Sequence, residues 1–332
     1  MILVRKPGVH ASVQDLGRPG LRQLGICPGG ALDMLALTLA NRLAGNADAA
    51  AGIEFTMGGC ELQFETDTRI ALTGDDFGAT LDGVPLWPCW SVPVRAGQTL
   101  RLAGANAPGT PKAGLRSWLA VAGGIDVAPV LGSRSTDLKA GFGGHEGRAL
   151  RKGDRLALGA SRLGADQNAR RPFGLRAPDW GTAEPDGAFA LRVLPGPEFD
   201  LFTPDAQALL WNERWRITPQ SNRMGSRLAG AELQRKAGGD MLSSGVIPGT
   251  IQVPPSGQPI ILMGDAQTTG GYPRIGVVIR ADLWKLAQAP LGGRLRLVRT
   301  DLSHALAAWA AQQRYLAQVA QGLAAAGWPG AA

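Results

Sequence analysis

Glycine and proline interrupt this chain so often that long helices have little room to form. The 332 residues include 47 glycines and 23 prolines, and both residue types favour turns over helix interiors. The apolar, β-branched runs between them are short. They are Arg69–Thr73, Thr99–Leu102, Ser117–Val121, Arg155–Leu158, Leu191–Leu194, Ile251–Val253, Ile260–Met263 and Arg294–Val298. Short strands next to turn residues predict a mainly β chain of antiparallel barrels or sandwiches, and disfavour a doubly wound α/β sheet.

Two segments have the spacing of amphipathic helices. The first covers 33–45, where Asp33 can cap the helix and Gly45 can end it. The second follows Asp301 or Ser303 as a cap and closes the sequence. Its apolar residues are Leu302, Leu306, Trp309, Leu316, Val319 and Leu323.

A polar segment divides the chain. Residues 159–187 contain three prolines and have no sustained periodicity, which is typical of a linker. We therefore predict one domain with its linker over 1–187, a second domain over 188–300 and a terminal amphipathic helix over 301–332.

Composition narrows the classes of partner. The chain is 45% hydrophobic with a mean hydropathy of −0.02, enough for sizeable cores. Its net charge of +7 suits an anionic partner. The basic residues are scattered, and no nucleic-acid-binding module is recognisable, so we expect a small acidic substrate and no nucleic acid.

The cysteines and the apolar runs bear on location. Cys27, Cys60 and Cys89 are widely spaced and form no CxxC pair, which favours reduced thiols over disulfides or zinc. His and Cys residues form no metal-binding cluster, so we expect no such site. No apolar span of about 20 residues and no signal-peptide pattern are found. We therefore expect a cytoplasmic protein without membrane association.

Residues 243–276 concentrate turns and polar groups around one apolar strand. The strand Ile260–Met263 leads into a loop that carries Asp265 and Gln267. The segment is interpreted as a site, with an ordinary turn-rich β-region as the alternative. Asp265 can accept a proton, hold Mg²⁺ or cap a turn. Gln267, Thr268 and Thr269 can form hydrogen bonds with a substrate.

Further candidates surround this loop. Arg223 and Arg274 can each bind a carboxylate or phosphate bidentately, or brace loops. Tyr272 can form a rigid wall or donate its hydroxyl. Gln252 and Ser256 are expected to line the same pocket.

The first half of the chain offers weaker candidates. Asp15 and Arg18 are interpreted as an internal ion pair and Asp33 as a helix cap. Glu54 is a secondary candidate for substrate binding, or a carboxylate that satisfies backbone amides. His145 is interpreted as a packing residue.

Six motifs give the chain a resemblance to a known family. They are SVQDLGRPG at 12–20, GALD at 30–33, AVAGGI at 120–125, LGSRST at 131–136, LPGP at 194–197 and SNRMGSRLAG at 221–230. They lead into the segment 243–276, whose most specific parts are PGTIQVPPSGQPI at 248–260 and DAQTTGGYPRIG at 265–276. Together they resemble the family of 5-oxoprolinase C subunits, also called the biotin-dependent carboxyltransferase or allophanate hydrolase subunit 2 family. The family usually has Asp where this chain has Asn222, so any mechanism that needs that carboxylate fails here.

The resemblance implies a fold and a reaction. The fold is two tandem cyclophilin-like β-barrel domains with few helices. The reaction is ATP-dependent cleavage of 5-oxoproline (pyroglutamate) to glutamate together with subunits A and B. Asp265, Gln267 and Arg223 are then the candidate catalytic residues. Glycines at 104–109 resemble the start of a P-loop but lack its lysine, so the ATP site is expected to be shared or of another type, with Mg²⁺ as a possible companion.

Two alternatives remain open for a family of this kind. One is a carboxyltransferase subunit that takes a carboxyl group from biotin on a separate carrier, since this chain has no Met-Lys-Met biotin-carrier motif. The other is a regulator that binds a homologue of the B subunit acting as a kinase inhibitor. The fold alone does not distinguish the oxoprolinase, the carboxyltransferase and the regulator.

Overall fold

A computed structural model describes residues 1–105, 114–178, 187–239 and 241–329. The chain divides into two compact units. Unit 1 comprises Met1–Arg18, Gly29–Pro178 and Arg314–Ala332, and unit 2 comprises Pro19–Pro28 and Asp179–Gln313. The predicted domain limits stay a prediction. The P-loop-like glycines at 104–109 fall mostly outside the described residues.

Unit 1 contains two six-stranded sheets. Its strands are β1 (Ile2–Pro7), β2 (His10–Gln14), β3 (Gly52–Thr56), β4 (Cys60–Phe64), β5 (Thr68–Gly74), β6 (Thr80–Leu81), β7 (Val84–Pro85), β8 (Trp90–Val94), β9 (Thr99–Leu102), β10 (Arg116–Val121), β11 (Arg155–Leu156) and β12 (Phe173–Gly174). The sheet orders are β11-β1-β4-β9-β6-β7 and β12-β8-β5-β10-β3-β2. One apolar core draws side chains from both sheets.

Side-chain alternation explains how the second sheet uses both faces. Ile53 and Phe55 enter the shared core, whereas Glu54 between them points to the other face. Helix α1 (Met34–Leu43) packs on β5 and β10 of that sheet. It begins after Asp33, whose Oδ1 accepts a hydrogen bond from the Ala36 amide at 2.8 Å. The predicted first helix and its cap are confirmed.

Part of the predicted linker is ordered in the residues that the structure describes, and its linking role stays a prediction. Residues 165–169 form helix α2 (Ala165–Ala169), and β12 pairs with β8 in the sheet. Arg69 on β5 holds this segment through hydrogen bonds. Its buried guanidinium pairs with no carboxylate of the described residues and donates to backbone carbonyls instead. Its Nη1 donates to the carbonyls of Asn168 at 3.1 Å and Arg170 at 2.7 Å. Residues 179–186 of the predicted linker lie outside the described part.

Unit 2 is built around a closed barrel. Its strands are β13 (Phe189–Pro195), β14 (Trp215–Ile217), β15 (Gly225–Ala229), β16 (Ser244–Gly245), β17 (Thr250–Gln252), β18 (Ile260–Leu262), β19 (Thr269–Gly270), β20 (Arg274–Val278) and β21 (Arg294–Arg299). The barrel order is β13-β20-β17-β18-β15-β14-β21, while β16 and β19 form a separate pair. The parallel pairing of β13 with β21 closes the barrel.

The remaining helices are α3 (Pro204–Asn212), α4 (Leu283–Gln288) and α5 (Leu302–Ala325), with 3-10 turns at Arg22–Leu24, Phe199–Leu201 and Arg280–Asp282. The predicted terminal helix is α5, and Asp301 caps it by accepting from the His304 amide at 2.9 Å. In the described residues no helix has both the length and the apolarity needed to cross a membrane. The predicted mainly β fold with few helices is confirmed.

Replacement of Arg69 by methionine tests how the 165–174 segment is held. Its guanidinium donates to several carbonyls and to Ser91 Oγ at 2.7 Å, and its Cζ lies 5.1 Å from the Phe173 ring centroid and 5.0 Å from that of Trp328. Because charge-assisted hydrogen bonds are lost, Arg69→Met should lower the free energy of unfolding by about 3 kcal/mol or more in urea titrations. The exposed Arg171→Met is the control. A difference between the two variants below about 0.5 kcal/mol would contradict this role.

Acid should weaken the ion pair between Arg148 and Asp154 in unit 1. Arg148 donates to both oxygens of Asp154, at 2.8 and 2.9 Å, and these bonds lower the pKa of Asp154 to about 2. A lowered pKa stabilises the fold above about pH 4, and the contribution disappears as the pH falls toward 2. Asp154→Asn should therefore be less stable than the wild type at neutral pH, with the difference shrinking in acid. Urea titrations at several pH values measure the difference in the free energy of unfolding, with Asp166→Asn as the control. A difference between Asp154→Asn and the wild type that stays constant with pH would disprove the prediction.

Candidate functional site

The predicted site residues of unit 2 gather on one loop and its neighbours. The loop comprises residues 263–273, between β18 and β20, and is called the site loop below. It begins with a backbone hydrogen bond from the Met263 amide to the Met224 carbonyl at 3.0 Å. Because β18 is a barrel strand, the start of the loop is fixed by the barrel itself.

Asp265 and Arg223 form a buried two-pronged ion pair. Arg223 Nε donates to Asp265 Oδ2 at 2.7 Å and Nη2 donates to Oδ1 at 2.9 Å. The residues are 5% and 7% exposed, and the Asp265 amide also donates to the Arg223 carbonyl at 3.1 Å. The structure thus brings two predicted catalytic residues together, with both carboxylate oxygens engaged by the arginine.

Gln267, Gln252 and Tyr272 form a second connected group. The exposed Gln267 donates its Nε2 to Gln252 Oε1 at 3.5 Å. The buried Gln252 on β17 donates in turn to the Tyr272 carbonyl at 3.3 Å. The Gln252 amide therefore links the two parts of the site loop, and the Gln267 side chain remains accessible to a ligand.

Arg274 anchors the end of the site loop. Its Nε and Nη2 donate to the two carboxylate oxygens of Glu198, the former at 2.7 Å, and Nη1 donates to the Gly245 carbonyl at 3.1 Å. These side-chain hydrogen bonds lower the pKa of Glu198 and raise the pKa of Arg274. The predicted alternative, in which arginine braces a loop, describes this contact.

The hydroxyl-bearing candidates occupy different environments. Thr268 is buried, and its carbonyl accepts from the Val246 amide at 3.0 Å and from Arg22 Nη2 at 3.4 Å. Thr269 is exposed and begins β19, which pairs with β16. Ser256 is exposed in the turn between β17 and β18, where its Oγ accepts from the Gln258 amide at 3.5 Å.

A cavity of about 420 Å³ opens beside the site loop. Its lining includes the predicted residue Tyr272 and an arginine that the motifs did not single out, Arg235. The run Gln234-Arg235-Lys236 belongs to none of the six motifs, and only the fold places Arg235 at this cavity. The remaining walls are largely apolar.

Glu54 belongs to unit 1, unlike the other predicted site residues. It is fully buried on β3, where its Oε2 accepts from the Leu32 amide at 3.0 Å. Its Oε1 lies 3.7 Å from Arg116 Nε. These contacts match the structural alternative for this carboxylate, and its role in substrate binding stays a prediction.

The predicted ion pair between Asp15 and Arg18 is wrong. The Asp15 carboxylate accepts from the hydroxyls of Ser133 at 2.7 Å and Ser135 at 2.5 Å, and from the Arg134 amide at 2.6 Å. Arg18 donates instead to the Ser135 carbonyl and lies over the Phe142 ring. Local hydroxyl and amide donors satisfy the carboxylate, so Arg18 is not needed as its partner.

Other residues singled out by the sequence have local structural contacts. Asn222 Oδ1 accepts from the Met224 amide at 2.8 Å, which is a turn-forming role that either Asn or Asp can fill. His145 Nε2 lies 3.6 Å from Asp154 Oδ1. Across the described ranges, no group of three or more His, Cys, Asp and Glu side chains is arranged to hold a metal ion.

Comparison with known proteins places these residues in a family. The sequence profile described as "Carboxyltransferase domain, subdomain A and B" matches residues 24–299. The chain is 47% identical to the C subunit of 5-oxoprolinase from Escherichia coli (strain K12), covering 96% of this chain and 98% of that protein. It is 41% identical to the C subunit of 5-oxoprolinase from Haemophilus influenzae, covering 93% and 94%.

Larger proteins contain a similar region. The chain is 32% identical to urea amidolyase of Lachancea kluyveri, over 89% of this chain but 17% of that protein. The crystal structure of the K. lactis urea amidolyase superposes with a TM-score of 0.84 at 30% identity, over 94% of this chain and 19% of that one. Because the shorter relatives match over nearly their full length, this chain belongs to the carboxyltransferase domain family that includes the C subunits of 5-oxoprolinase.

Proposed function

We propose that this chain is the C subunit of an ATP-dependent 5-oxoprolinase, which opens 5-oxoproline to glutamate together with subunits A and B. The observation that carries the proposal is the 47% identity to a protein named as the C subunit of 5-oxoprolinase, over 98% of that protein. Relatives named for urea chemistry are less similar, at 32–33% identity.

The chemistry explains why the reaction needs ATP. The lactam carbonyl of 5-oxoproline is protected from water by amide resonance, and phosphorylation of the amide oxygen would turn that carbon into an activated electrophile. Amide recognition suits a side chain that both donates and accepts hydrogen bonds. The exposed Gln267 has that capacity, and its neighbour Gln252 orients it.

Arg223 and Asp265 contribute in this proposal by holding the site loop that presents Gln267. Asp265 fits a magnesium ligand poorly, because both of its carboxylate oxygens already accept from Arg223. We therefore assign ATP and any accompanying Mg²⁺ to a site that partner subunits complete. Thr268, Thr269, Ser256 and Arg274 stay proposed contacts with the substrate. Glu54 stays a proposed secondary contact with the substrate.

The cysteines are compatible with a reducing compartment. Cys27, Cys60 and Cys89 are buried free thiols. Burial raises the pKa of Cys60 to about 12 and of Cys89 to about 11, which makes these thiols unreactive. We propose that the complex works in the cytoplasm on a small acidic substrate.

The family name itself supports a second candidate, a carboxyltransferase subunit acting with biotin on a separate carrier. The observation that favours this candidate is the similarity to urea amidolyases and to a putative urea carboxylase. Transfer of a carboxyl group from carboxybiotin to an amide acceptor, measured with this chain and its partners, would favour that candidate. A regulator that binds a kinase-inhibitor-like B subunit would show neither activity.

Glutamate release tests the leading proposal. This chain is purified with its candidate subunits A and B and supplied with 5-oxoproline, with and without ATP. We expect ATP-dependent glutamate only from the complete mixture, because this chain completes the site. Glutamate formation that does not require this chain, or a stable complete complex that forms no glutamate, would contradict the proposal.

Variants of the ion pair test how the site loop acts. Arg223→Ala and Asp265→Ala should each lower kcat/KM for glutamate release by about 10²-fold or more, since each breaks the buried two-pronged ion pair that holds the loop. A double variant, Arg223→Met with Asp265→Leu, should be no worse than the worse single variant. Asp205→Ala, on an exposed residue of α3, is the control. Turnover of Asp265→Ala within about twofold of the wild type would exclude this role.

A further inference from the structure

The cavity beside the site loop has the size and lining of a small-molecule site. Its volume of about 420 Å³ lies within the range typical of ligand pockets. Met241, Val253, Pro255, Tyr272 and Pro273 supply apolar walls. Arg235 is the residue with a charged side chain in this lining.

Two chain segments that line the cavity approach closely at Gly271. A Cβ atom at residue 271 would lie 3.1 Å from the Met241 carbonyl oxygen. A side chain at this position would crowd that oxygen, so glycine allows the two segments to meet at the cavity.

Arg235 differs from the other arginines near the site. Arg223 and Arg274 each pair with a carboxylate through two hydrogen bonds. Arg235 donates its Nη1 to the Gly239 carbonyl at 3.0 Å, and its buried Nε has no hydrogen-bond partner in the described residues. No carboxylate from those residues lies within ion-pair distance of it.

A cation whose charge no neighbouring carboxylate balances gains from a ligand carboxylate. A guanidinium binds a carboxylate most strongly through two parallel N–H···O bonds. The cavity therefore offers one cation among lining residues that are otherwise largely apolar. This combination suits an organic anion with a small ring.

We propose that this cavity binds a small cyclic carboxylic acid, with its carboxylate on Arg235 and its ring against Tyr272 and the proline walls. In naming 5-oxoproline as that acid, the inference rests on the proposed function. Arg235, rather than Arg223 or Arg274, is then the anion-recognition residue of the site. Gln267 on the site loop and its neighbour Gln252 on β17 are then assigned to the amide group.

Direct binding to the full-length chain tests the proposal without requiring turnover. Calorimetric titrations use three probes: 5-oxoproline, 2-pyrrolidinone, which has the lactam but no carboxylate, and cyclopentanecarboxylate, which has the ring and carboxylate but no lactam. The proteins are the wild type, Arg235→Met and Arg235→Lys. Arg227→Met, an exposed arginine on β15, is the matched charge control.

We expect Arg235→Met to weaken binding of both carboxylates by about tenfold or more, and Arg235→Lys to weaken it less, because lysine keeps the charge but loses the fork. Binding of 2-pyrrolidinone should change by less than about twofold, since it makes no ion pair. Arg227→Met should bind all three probes like the wild type. Circular dichroism confirms that each variant is folded.

The outcomes distinguish failure of the proposed anion site from failure of the proposed reaction. If cyclopentanecarboxylate binds through Arg235 but 5-oxoproline does not, the anion site stands and the proposed oxoprolinase substrate fails. If neither carboxylate binds the wild type, the inference is overturned, whatever the complete complex does. Equal weakening of all three probes in Arg235→Met, or no weakening in Arg235→Lys and Arg235→Met, also overturns it.

Discussion

The buried ion pair between Arg223 and Asp265 fixes the start of the site loop on the barrel. Removing two charges from water is costly, and the cost is offset only when the geometry is good and the remaining donors are satisfied. Here two N–H···O bonds of 2.7 and 2.9 Å and one backbone hydrogen bond join the residues. Loss of either partner would break both N–H···O bonds, so the arrangement of the loop depends on both residues.

The same principle operates at the other end of the loop. Arg274 pairs with Glu198 near the closing strand β13, and Gln252 on β17 connects the middle of the loop to the barrel. Both arginines that the motifs present as ligand-binding groups form ion pairs with carboxylates of this chain. Arg235, in the segment between β15 and β16, is the arginine that lines the cavity.

Sequence patterns predict the elements that rely on local alternation and capping. The strands around Leu191 and Arg294 and the helix capped by Asp33 form as expected. The 165–174 segment has the composition of a linker, but its order comes from Arg69, which is distant in sequence. The motifs do not include Arg235, for a related reason. Its importance comes from the absence of a carboxylate partner among the described residues, and only the three-dimensional structure shows that absence.

The central claim, that a small cyclic carboxylate binds at Arg235 beside the site loop, is tested most directly by nuclear magnetic resonance of the full-length chain titrated with 5-oxoproline. The account predicts that the Arg235 Nε–H signal and the amide signals of Gly239, Gly271 and Tyr272 shift together and saturate at one ligand concentration. Saturable shifts confined to other parts of the chain, such as the surroundings of Glu54, with the Arg235 signal unchanged, would contradict it.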